Sequence, residues 1–486
     1  MDRQRDELIA QLRQVLPPDG LCVEASMLHA WECDGMSALR QVPWLVVLPQ
    51  TTAHVQAVLR LCREHGIPVV ARGAGTGLSG GAMPHERGVL LSLAKMNAIL
   101  DIDPLACTAR VQPGVRNLAV SEAARPHGLY YAPDPSSQIA CTIGGNVAEN
   151  SGGVHCLKYG LTVHNVMRVQ LVTMDGDCLE LGTETLDSPG YDLLALAVGS
   201  EGLLGVVTEV TLRLLPRPEC SQLLLAAFDD VARAADAVGA IIAAGVIPAG
   251  LEMMDNPAIR AAEAFVHAGY PTDAAALLLC ELDGPVADVI EQTGWVEAVL
   301  GKAGASEIRR ARDETERALL WKGRKSAFPA VGRLAPDYYC MDGSIPRRRL
   351  ADVLQGIAGL SQRYGLAVAN VFHAGDGNLH PLILYDANQP DELARAEAFG
   401  ADILGLCVQV GGSITGEHGV GVEKIDQMCL QFGAAELACF HAIKQAFDPD
   451  LLLNPGKAVP TLHRCAELGT MHVHAGQLPH AGLERF

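Results

Sequence analysis

Two histidines flank a turn-forming segment late in the chain, in a pattern that suits a metal ion. His373 and His380 lie on either side of Gly-Asp-Gly-Asn (375–378), and apolar, strand-like residues follow outwards in both directions. If these strands pair about the turn, the two imidazoles fall directly opposite each other, with Cβ atoms about 4.5–5.5 Å apart. Both rings then reach one ion, at about 2.0–2.1 Å for zinc. The alternative is two unrelated strand histidines.

A second segment supplies further groups of the same kind. Glu417 and His418 lie in GGSITGEHGVG (411–421), directly after a predicted helix over 393–410. A carboxylate and an imidazole in a glycine-rich loop are poor candidates for core packing. Two histidines and a carboxylate with an open position form a catalytic metal pattern. Zinc is the first choice, although these ligand types also suit manganese or iron.

An earlier segment, ARGAGTGLSGGA at 71–82, has the composition of a phosphate-binding loop. Glycine reaches positive φ without strain, so successive N–H groups in such a loop converge on a phosphate or pyrophosphate. Gly75, Gly77 and Gly80 match the pattern G-x-G-x-x-G. The nicotinamide-type fingerprint opens a helix, however, whereas residues 83–88 predict a turn and 89–93 a strand. We therefore reject the nicotinamide-binding Rossmann interpretation.

Two further stretches share this glycine-rich character. Residues 133–153 combine small and polar side chains over a long non-periodic run, which favours a loop wrapped on a ligand over a flexible surface loop. Residues 199–211 predict a turn that leads into a β-branched strand.

The elements that must position these segments form two regions. Strands and amphipathic helices alternate before Pro216, and strand–helix–strand units recur between residues 222 and 311. Two such units fit an antiparallel sheet with helices on one face. We expect a first domain over 1–216, a second domain over 217–457 whose last part returns to the first, and a tail over 458–486.

Composition excludes several classes of protein. The net charge of −19 and the pI near 5.2 argue against nucleic acid or anionic membranes as partners. The charged N-terminal segment lacks the apolar stretch expected of a signal peptide, and no apolar run approaches the ~20 residues of a spanning helix. None of the 14 cysteines has C-x-x-C spacing, which disfavours zinc ribbons and iron–sulfur clusters. We expect a soluble cytoplasmic protein.

The chain resembles a known family through six segments that occur together and in order. They are 72–82, 133–153, 199–205, HAGDGNLH at 373–380, GEHGVG at 416–421 and FDPDLLLNPGK at 447–457. The set is similar to the FAD-linked oxidases of the vanillyl-alcohol-oxidase flavin fold, in the branch acting on 2-hydroxy acids. The resemblance implies an α+β fold: a two-part FAD-binding domain of the vanillyl-alcohol-oxidase/p-cresol-methylhydroxylase type and a ferredoxin-like antiparallel α+β cap domain.

The resemblance assigns roles to the residues that could do chemistry. His373, His380 and Glu417 match the metal ligands of the branch, His418 its general base and Arg324 its clamp on the substrate carboxylate. A metal lowers the pKa of a hydroxyl, an imidazole accepts its proton, and a guanidinium grips a carboxylate bidentately. The lysines at 322 and 325 compete with Arg324, and an exposed helix face would leave all three without a role.

The resemblance also implies a flavin site. FAD would be non-covalent, because Thr76, Gly77 and Leu78 offer no histidine to tether it. The residues implied to bind FAD are Arg72, Gly73, Ala74, Gly75, Thr76, Gly77, Leu78, Pro133, Asp134, Ser137, Gly144, Gly145, Asn146, Ala148, Asn150, Ser151, Gly152, Glu201, Gly202, Gly205, Val206 and Asn454.

One departure from the branch bears on the substrate. Relatives acting on 2-hydroxyglutarate or D-lactate carry a lysine in Tyr-Lys-Tyr-Asp, which here is Tyr339-Cys340-Met341-Asp342. Loss of that cation disfavours a second carboxylate, so we expect glycolate first and D-lactate second. A D-lactate or D-2-hydroxyglutarate dehydrogenase is the alternative. The resemblance further implies a second flavin-fold subunit and an iron–sulfur subunit that carry electrons toward quinone at the inner membrane.

Two interpretations of another class stay open. In a metal-dependent hydrolase, His373, His380 and Glu417 would activate water, which leaves the glycine-rich stretches unexplained. In a catalytically silent flavin subunit, the chain would be a scaffold, and the intact His/His/Glu/His set speaks against that. The histidines after residue 463 would belong to an ordered tail, a docking strand or an accessory metal site.

Overall fold

The computed structural model describes residues 3–185 and 189–460. The chain divides into two compact units. The first unit comprises Met1–Ser151, Leu161–Pro216 and His418–Phe486, and the second comprises Gly152–Gly160 and Arg217–Glu417. The second predicted domain extended to residue 457 with its last part returning to the first domain; in the structure this return begins at His418. Predictions for the tail beyond residue 460 lie outside the described residues.

Strands and helices are numbered along the chain. The strands are β1 Leu21–Cys22, β2 Leu45–Val47, β3 Val69–Arg72, β4 Val89–Ser92, β5 Ile99–Asp103, β6 Thr108–Val111, β7 Leu129–Tyr130, β8 Val166–Val172, β9 Cys178–Gly182, β10 Val206–Arg213, β11 Leu215–Pro216, β12 Cys220–Phe228, β13 Gly250–Asp255, β14 Ala276–Gly284, β15 Glu307–Arg310, β16 Asp337–Cys340, β17 Gly343–Ser344, β18 Val368–His373 and β19 Asn378–Tyr385. The α-helices are α1 Arg3–Val15, α2 Ala25–Leu28, α3 Thr52–Glu64, α4 Asn117–Ala124, α5 Ile143–Glu149, α6 Cys156–Tyr159, α7 Thr162–Asn165, α8 Leu193–Ala197, α9 Val231–Ala243, α10 Asn256–Val266, α11 Val286–Lys302, α12 Glu314–Lys325, α13 Ala327–Val331, α14 Leu350–Tyr364, α15 Glu392–Gln409, α16 Met428–Gln431 and α17 Ala434–Phe447. Short 3-10 helices occupy His29–Trp31, Arg125–His127 and Arg347–Arg349.

The described part of the first unit contains two larger sheets and the short two-stranded sheet β7–β11. Four strands run in the order β1-β2-β4-β3, with β2, β4 and β3 parallel, and α3 connects β2 to β3. Thr51 begins α3 by accepting a hydrogen bond from the His54 N–H, while Val55, Val58, Leu59 and Cys62 form its buried face. The second sheet is antiparallel, in the order β5-β6-β10-β8-β9.

The second unit is built on one antiparallel sheet, in the order β15-β12-β14-β13-β18-β19-β16, with β17 also beside β19. This confirms the predicted antiparallel sheet with strand–helix–strand units. The central strands β13 and β19 are buried along their whole length. Charged and polar residues on such strands need partners, because an unpaired buried polar group is costly. Those residues are the starting point for the site.

The prediction for residues 133–153 was partly wrong, because this stretch is not one continuous loop. It contains helix α5, which Thr142 caps by accepting a hydrogen bond from Gly145 N. Ile143 and Val147 are buried at helical i, i+4 spacing. The glycines and polar residues between them concealed that periodicity in the sequence.

No helix among the described residues is both long enough and apolar enough to cross a membrane.

Candidate functional site

The β18–β19 hairpin brings the two predicted histidines together, although not in the predicted register. His373 pairs with Asn378, and His380 pairs with Val371. The prediction that the histidines lie directly opposite each other was therefore wrong; they are diagonal neighbours on one face. The reason is a tight turn, in which Gly377 has φ +86° and its N–H bonds the His373 carbonyl at 3.0 Å. The ring centroids are still 5.0 Å apart, with planes at 87°.

Glu417 completes a three-residue group with these rings. Its Oε1 lies 3.2 Å from Nε2 of His373 and 3.0 Å from Nε2 of His380. Donor atoms bound tetrahedrally to one zinc ion at 2.0–2.1 Å are roughly 3.3 Å apart. Two buried imidazole nitrogens and a carboxylate oxygen thus have both the chemistry and the spacing to hold a divalent cation.

Asp342 fixes the segment that carries Glu417. Its fully buried carboxylate accepts hydrogen bonds from Gly416 N at 3.1 Å, Glu417 N at 3.2 Å and Thr415 Oγ1 at 2.6 Å. The other Glu417 oxygen, Oε2, accepts from Gly152 N at 2.9 Å. The Glu417 side chain is therefore held at both oxygens and at its backbone, as a ligand in a preformed site should be.

The charges in this group shift the pKa values of its members in opposite directions. Burial would raise the pKa of Glu417, but hydrogen bonds and charge from the two histidine rings hold it well below its usual value. Burial would lower the pKa of His373, whereas the charge and hydrogen bond of Glu252, with those of Glu417, raise it well above the ordinary range. The two rings are buried and Glu417 is largely so, and the charges of His373 and Glu417 shift each other's pKa.

Arg324 is the one member of the basic cluster that points into the protein. It lies on α12, is 1% exposed and forms an ion pair from Nη2 to Glu252 Oε2 at 2.5 Å. Lys322 is exposed and Lys325 is partly exposed. An exposed helix face therefore does not describe Arg324. Asp313 caps α12 by accepting from Glu316 N at 2.9 Å.

In the first unit, the glycine-rich loop after β3 packs against the start of α5. A Cβ on Gly73 would lie 2.3 Å from Thr142 Oγ1, so only glycine fits there. Arg72 is buried, donates from Nη1 to Cys33 O at 2.6 Å, and its Nε has no hydrogen-bond partner among the described residues. Among the residues that the structure describes, no atom beyond the two chain neighbours lies within 4 Å of a Cβ placed on Gly77. A buried guanidinium with an unused Nε–H, beside open backbone, fits a phosphate-bearing cofactor.

Asn454 joins the other predicted flavin segments to this loop. Its Nδ2 donates to Gly81 O at 3.1 Å and to Glu201 O at 2.7 Å. Glu201 N in turn donates to Ala148 O at 2.8 Å, just inside the C-terminus of α5. Three glycine-rich stretches that are far apart in the sequence are thus brought together within the first unit.

Comparisons with known proteins agree with this geometry. The model for the FAD binding domain matches residues 43–182, and that for FAD linked oxidases, C-terminal domain, matches residues 217–458. Glycolate oxidase subunit GlcD of Escherichia coli (strain K12) is 63% identical, across 100% of this chain and 97% of that protein. The chain belongs to the FAD-linked oxidase family. D-lactate dehydrogenase of Anaerostipes hadrus is 34% identical, across 85% of this FAD-linked oxidase and 89% of its own length.

The solved structures extend the comparison to the fold. Substrate-bound p-cresol methylhydroxylase aligns with a TM-score of 0.80 at 21% identity, over 95% of this FAD-linked oxidase and 98% of that chain. This confirms the predicted α+β fold of the vanillyl-alcohol-oxidase/p-cresol-methylhydroxylase type. The chain is an oxidoreductase with an FAD-binding domain.

Several residues predicted to bind FAD have side chains already engaged within the oxidase. Glu201 accepts from Val420 N and Gly421 N, both at 2.7 Å, and Asn146 donates to Asn117 at 2.9 Å. Asn150 accepts from Val163 N at 2.9 Å. These side chains support the backbone of the site.

Three other residues predicted to bind FAD take part in packing, strand pairing or backbone hydrogen bonds. Gly205 packs closely on Leu171, and Val206 pairs with Val172. Gly152 belongs to the second unit, where it donates to Glu417.

His418, the predicted general base, belongs to the first unit. Its carbonyl accepts a hydrogen bond from Ser79 Oγ at 2.9 Å, so the glycine-rich loop 72–82 fixes the backbone of this position. Its role as a base stays a prediction.

Sequence reasoning gave no role to three buried acids that support these sites: Glu252 on β13, Asp34 near the N-terminus, and Asp342, which fixes Glu417. Asp34 accepts from Met36 N at 2.9 Å and Ala82 N at 3.2 Å, and so holds the end of the glycine-rich loop. Glu252 contacts both His373 and Arg324. One signal was available for Glu252: it is an acid with apolar residues on both sides in the strand Gly250–Asp255.

Proposed function

We propose that this chain is an FAD-dependent 2-hydroxy-acid dehydrogenase that oxidises glycolate to glyoxylate, with D-lactate as a second substrate. The observation that carries the proposal is its 63% identity, over the whole chain, to a protein named as a glycolate oxidase subunit. The short distances between His373, His380 and Glu417 also support the proposal, because these three side chains could hold a divalent cation.

His418 and Arg324 have separate roles in the proposed reaction. Oxidation of the alcohol removes a proton from the hydroxyl oxygen and a hydride from the α-carbon. FAD, when bound, takes up that hydride with its two electrons. We assign His418 as the acceptor of the hydroxyl proton and Arg324 as the guanidinium that binds the substrate carboxylate.

A divalent cation, zinc first, is proposed at His373, His380 and Glu417. Such an ion supplies a Lewis acid that makes the substrate hydroxyl more acidic. The three donors leave at least one coordination position open, which distinguishes a catalytic from a structural site. The buried, hydrogen-bonded carboxylate of Asp342 keeps Glu417 in position for this role.

Non-covalent FAD is proposed in the first unit. The loop of Arg72, Gly75 and Gly77 would bind the pyrophosphate, and the orphaned Arg72 Nε supports an anionic ligand there. Backbone groups near Gly145 and Gly202 would line the rest of the cofactor.

The side chains near His380 favour a small substrate that has no second carboxylate. Phe328 packs edge-on against its ring at 5.7 Å, and Cys340 and Met341 are buried and carry no charge. These residues offer no cation for a second carboxylate. D-lactate has the stronger claim among the alternatives, because a relative named D-lactate dehydrogenase covers most of this chain. D-2-hydroxyglutarate is disfavoured.

We propose that the electrons leave through partner subunits. The sequence has no cysteine spacing for an iron–sulfur cluster of its own. A second flavin-fold subunit and an iron–sulfur subunit would carry electrons to a quinone-type acceptor, with the complex peripheral on the inner membrane.

An anaerobic absorbance spectrum of the purified chain tests the proposal. We expect a flavin spectrum that bleaches on addition of glycolate, more slowly on D-lactate, and slowest on D-2-hydroxyglutarate. Flavin that stays oxidised with all three acids, with and without added Zn²⁺, would contradict the assigned reaction. A colourless protein that hydrolyses esters or amides would favour the metal-dependent hydrolase instead.

A further inference from the structure

Glu252 occupies an unusual position for a carboxylate. It lies in the middle of β13, is 1% exposed, and belongs to a strand whose residues are all buried. A carboxylate in such a place is strongly unfavourable unless opposite charge and hydrogen bonds compensate it. Two groups do so here: Nδ1 of His373 and the guanidinium of Arg324.

The contact between Glu252 and His373 determines which nitrogen of the His373 ring carries the hydrogen. Nδ1 of His373 lies 3.0 Å from both carboxylate oxygens of Glu252. Nδ1, held between the two oxygens of this buried carboxylate, carries a hydrogen. A histidine that binds a metal ion is neutral, so in that state the hydrogen stays on Nδ1 and the lone pair is on Nε2. Nε2 is the atom that faces Glu417 Oε1 at 3.2 Å. Glu252 thus selects the tautomer that a metal ion at this position requires.

The contact with Arg324 determines where that guanidinium lies. Nη2 of Arg324 is 2.5 Å from Glu252 Oε2, and the side chain is 1% exposed. Nε of Arg324 has no hydrogen-bond partner among the described residues. Because an arginine has five donors in a rigid fork, a guanidinium held at one nitrogen keeps others for a second anion.

We propose that Glu252 is a positioning residue that links the metal subsite to the subsite for the substrate carboxylate. It orients His373 through one contact and Arg324 through the other, so one buried carboxylate sets the spacing between two groups that act on the same small 2-hydroxy acid. This inference rests on the proposed function, which supplies the roles of His373 and Arg324.

A neighbouring strand offers a matched control. Glu281 on β14 is also buried, at 3% exposure, and it also contacts α12, through Arg317 Nη1 at 3.0 Å and Trp321 Nε1. It does not contact His373. Any effect that comes only from loosening α12 or from removing a buried acid should appear in both Glu252→Gln and Glu281→Gln.

The experiment measures Zn²⁺ affinity and steady-state kinetics on the full-length chain. Competition with a chromophoric chelator gives the Zn²⁺ dissociation constant without turnover, and glycolate titration gives KM and kcat. For Glu252→Gln we expect a 10–100-fold loss of Zn²⁺ affinity, the range for loss of a partner behind a ligating histidine. We also expect a KM for glycolate raised at least tenfold. Glu281→Gln should leave both within twofold of wild type.

Glu252→Asp keeps the charge but draws the carboxylate back by one methylene. We expect it to retain more Zn²⁺ affinity and a lower KM than Glu252→Gln, and it replaces that variant if circular dichroism shows misfolding. Equal losses in Glu252→Gln and Glu281→Gln, or Zn²⁺ affinity and KM unchanged in both Glu252 variants, would overturn the inference. Failure of glycolate to bleach wild-type flavin would contradict the proposed function instead, and the Zn²⁺ comparison would still test Glu252.

Discussion

Charged side chains are used differently in the two units. Around the glycine-rich loop of the first unit, two charged side chains bond the backbone: Glu201 accepts from two N–H groups at 2.7 Å, and Lys457 donates to the carbonyls of Gly81 and Met83. Around the two histidines of the second unit, charged side chains also contact one another, in a chain from Arg324 through Glu252 and His373 to Glu417.

The difference shows which groups are available for chemistry. A side chain that bonds the backbone fixes the shape of a loop and leaves N–H groups of that loop for a ligand. Side chains that bond each other in a buried cluster shift each other's pKa values and position donor atoms, as reactive sites require. We therefore expect variants in the second unit to affect turnover most, and variants in the first unit to affect flavin binding and stability.

The largest expected effect comes from Glu417→Gln. Loss of the ligand carboxylate should release the proposed metal and reduce kcat/KM for glycolate by roughly a thousand-fold, about 4 kcal/mol of transition-state stabilisation. Flavin content should stay at the wild-type level. Metal analysis, the flavin spectrum and kinetics measure the three quantities. Activity within tenfold of wild type, with no metal in either protein, would contradict the metal assignment.

The sequence predicts the local features of both units but not the contacts between residues that are distant in the sequence. Glycine-rich loops and the His-x₆-His hairpin are local patterns, and the strands that flank them carry clear periodicity, so the elements around Arg72 and His373 were predictable. The register of β18 against β19 was not, because it depends on the turn at Gly377. The partner of Arg324 was not either, since Glu252 is 72 positions away in the sequence.

Asp255 gives the second unit a pH-dependent stability. It accepts from Asn370 Nδ2 at 2.7 Å and caps α10, yet burial raises the pKa of its carboxyl to about 6, from 3.8. Between these values the folded chain binds more protons than the unfolded chain, so stability falls as the pH rises through this window. The expected loss is about 3 kcal/mol, for a shift of about two pKa units.

Asp255→Asn removes that titration. Urea unfolding of both proteins between pH 4 and 7 should show the wild type losing free energy of unfolding relative to the variant as the pH rises. A difference between the two proteins that is constant across this range would disprove the assignment.

In the first unit, Asn454→Ala should cost about 2 kcal/mol of unfolding free energy. It removes hydrogen bonds to the carbonyls of Gly81 and Glu201 and from Lys457 Nζ, which leaves buried polar groups unpaired. Asn454 also has φ +45°, which asparagine tolerates better than alanine.

Thermal unfolding and flavin content measure this effect. Asn388→Ala is the control, because it removes an asparagine hydrogen bond at an exposed site, where changes are usually within about 0.5 kcal/mol. If the two variants were equally stable, the junction at Asn454 would not hold the glycine-rich segments together.

The smallest expected effect comes from Gly77→Ala, which tests whether the loop backbone binds FAD without changing the fold. An added Cβ at Gly77 would meet no described atom within 4 Å beyond its two chain neighbours, so Gly77→Ala should fold normally. If the backbone there faces FAD phosphate, the methyl group should still weaken FAD binding about tenfold, or about 1.4 kcal/mol. Gly239→Ala on α9 is the matched control: its Cβ is equally unobstructed, and it should leave FAD affinity unchanged.

Fluorescence titration of apoprotein with FAD separates these outcomes. A wild-type FAD affinity in Gly77→Ala would mean that this loop stays open for another reason, and the phosphate site would then have to use the Arg72 side chain without that backbone. A loss confined to Gly77→Ala would mean that the first unit binds its cofactor through main-chain groups. Its buried charges would then serve to hold that main chain in place, in contrast to the reactive cluster around Glu417.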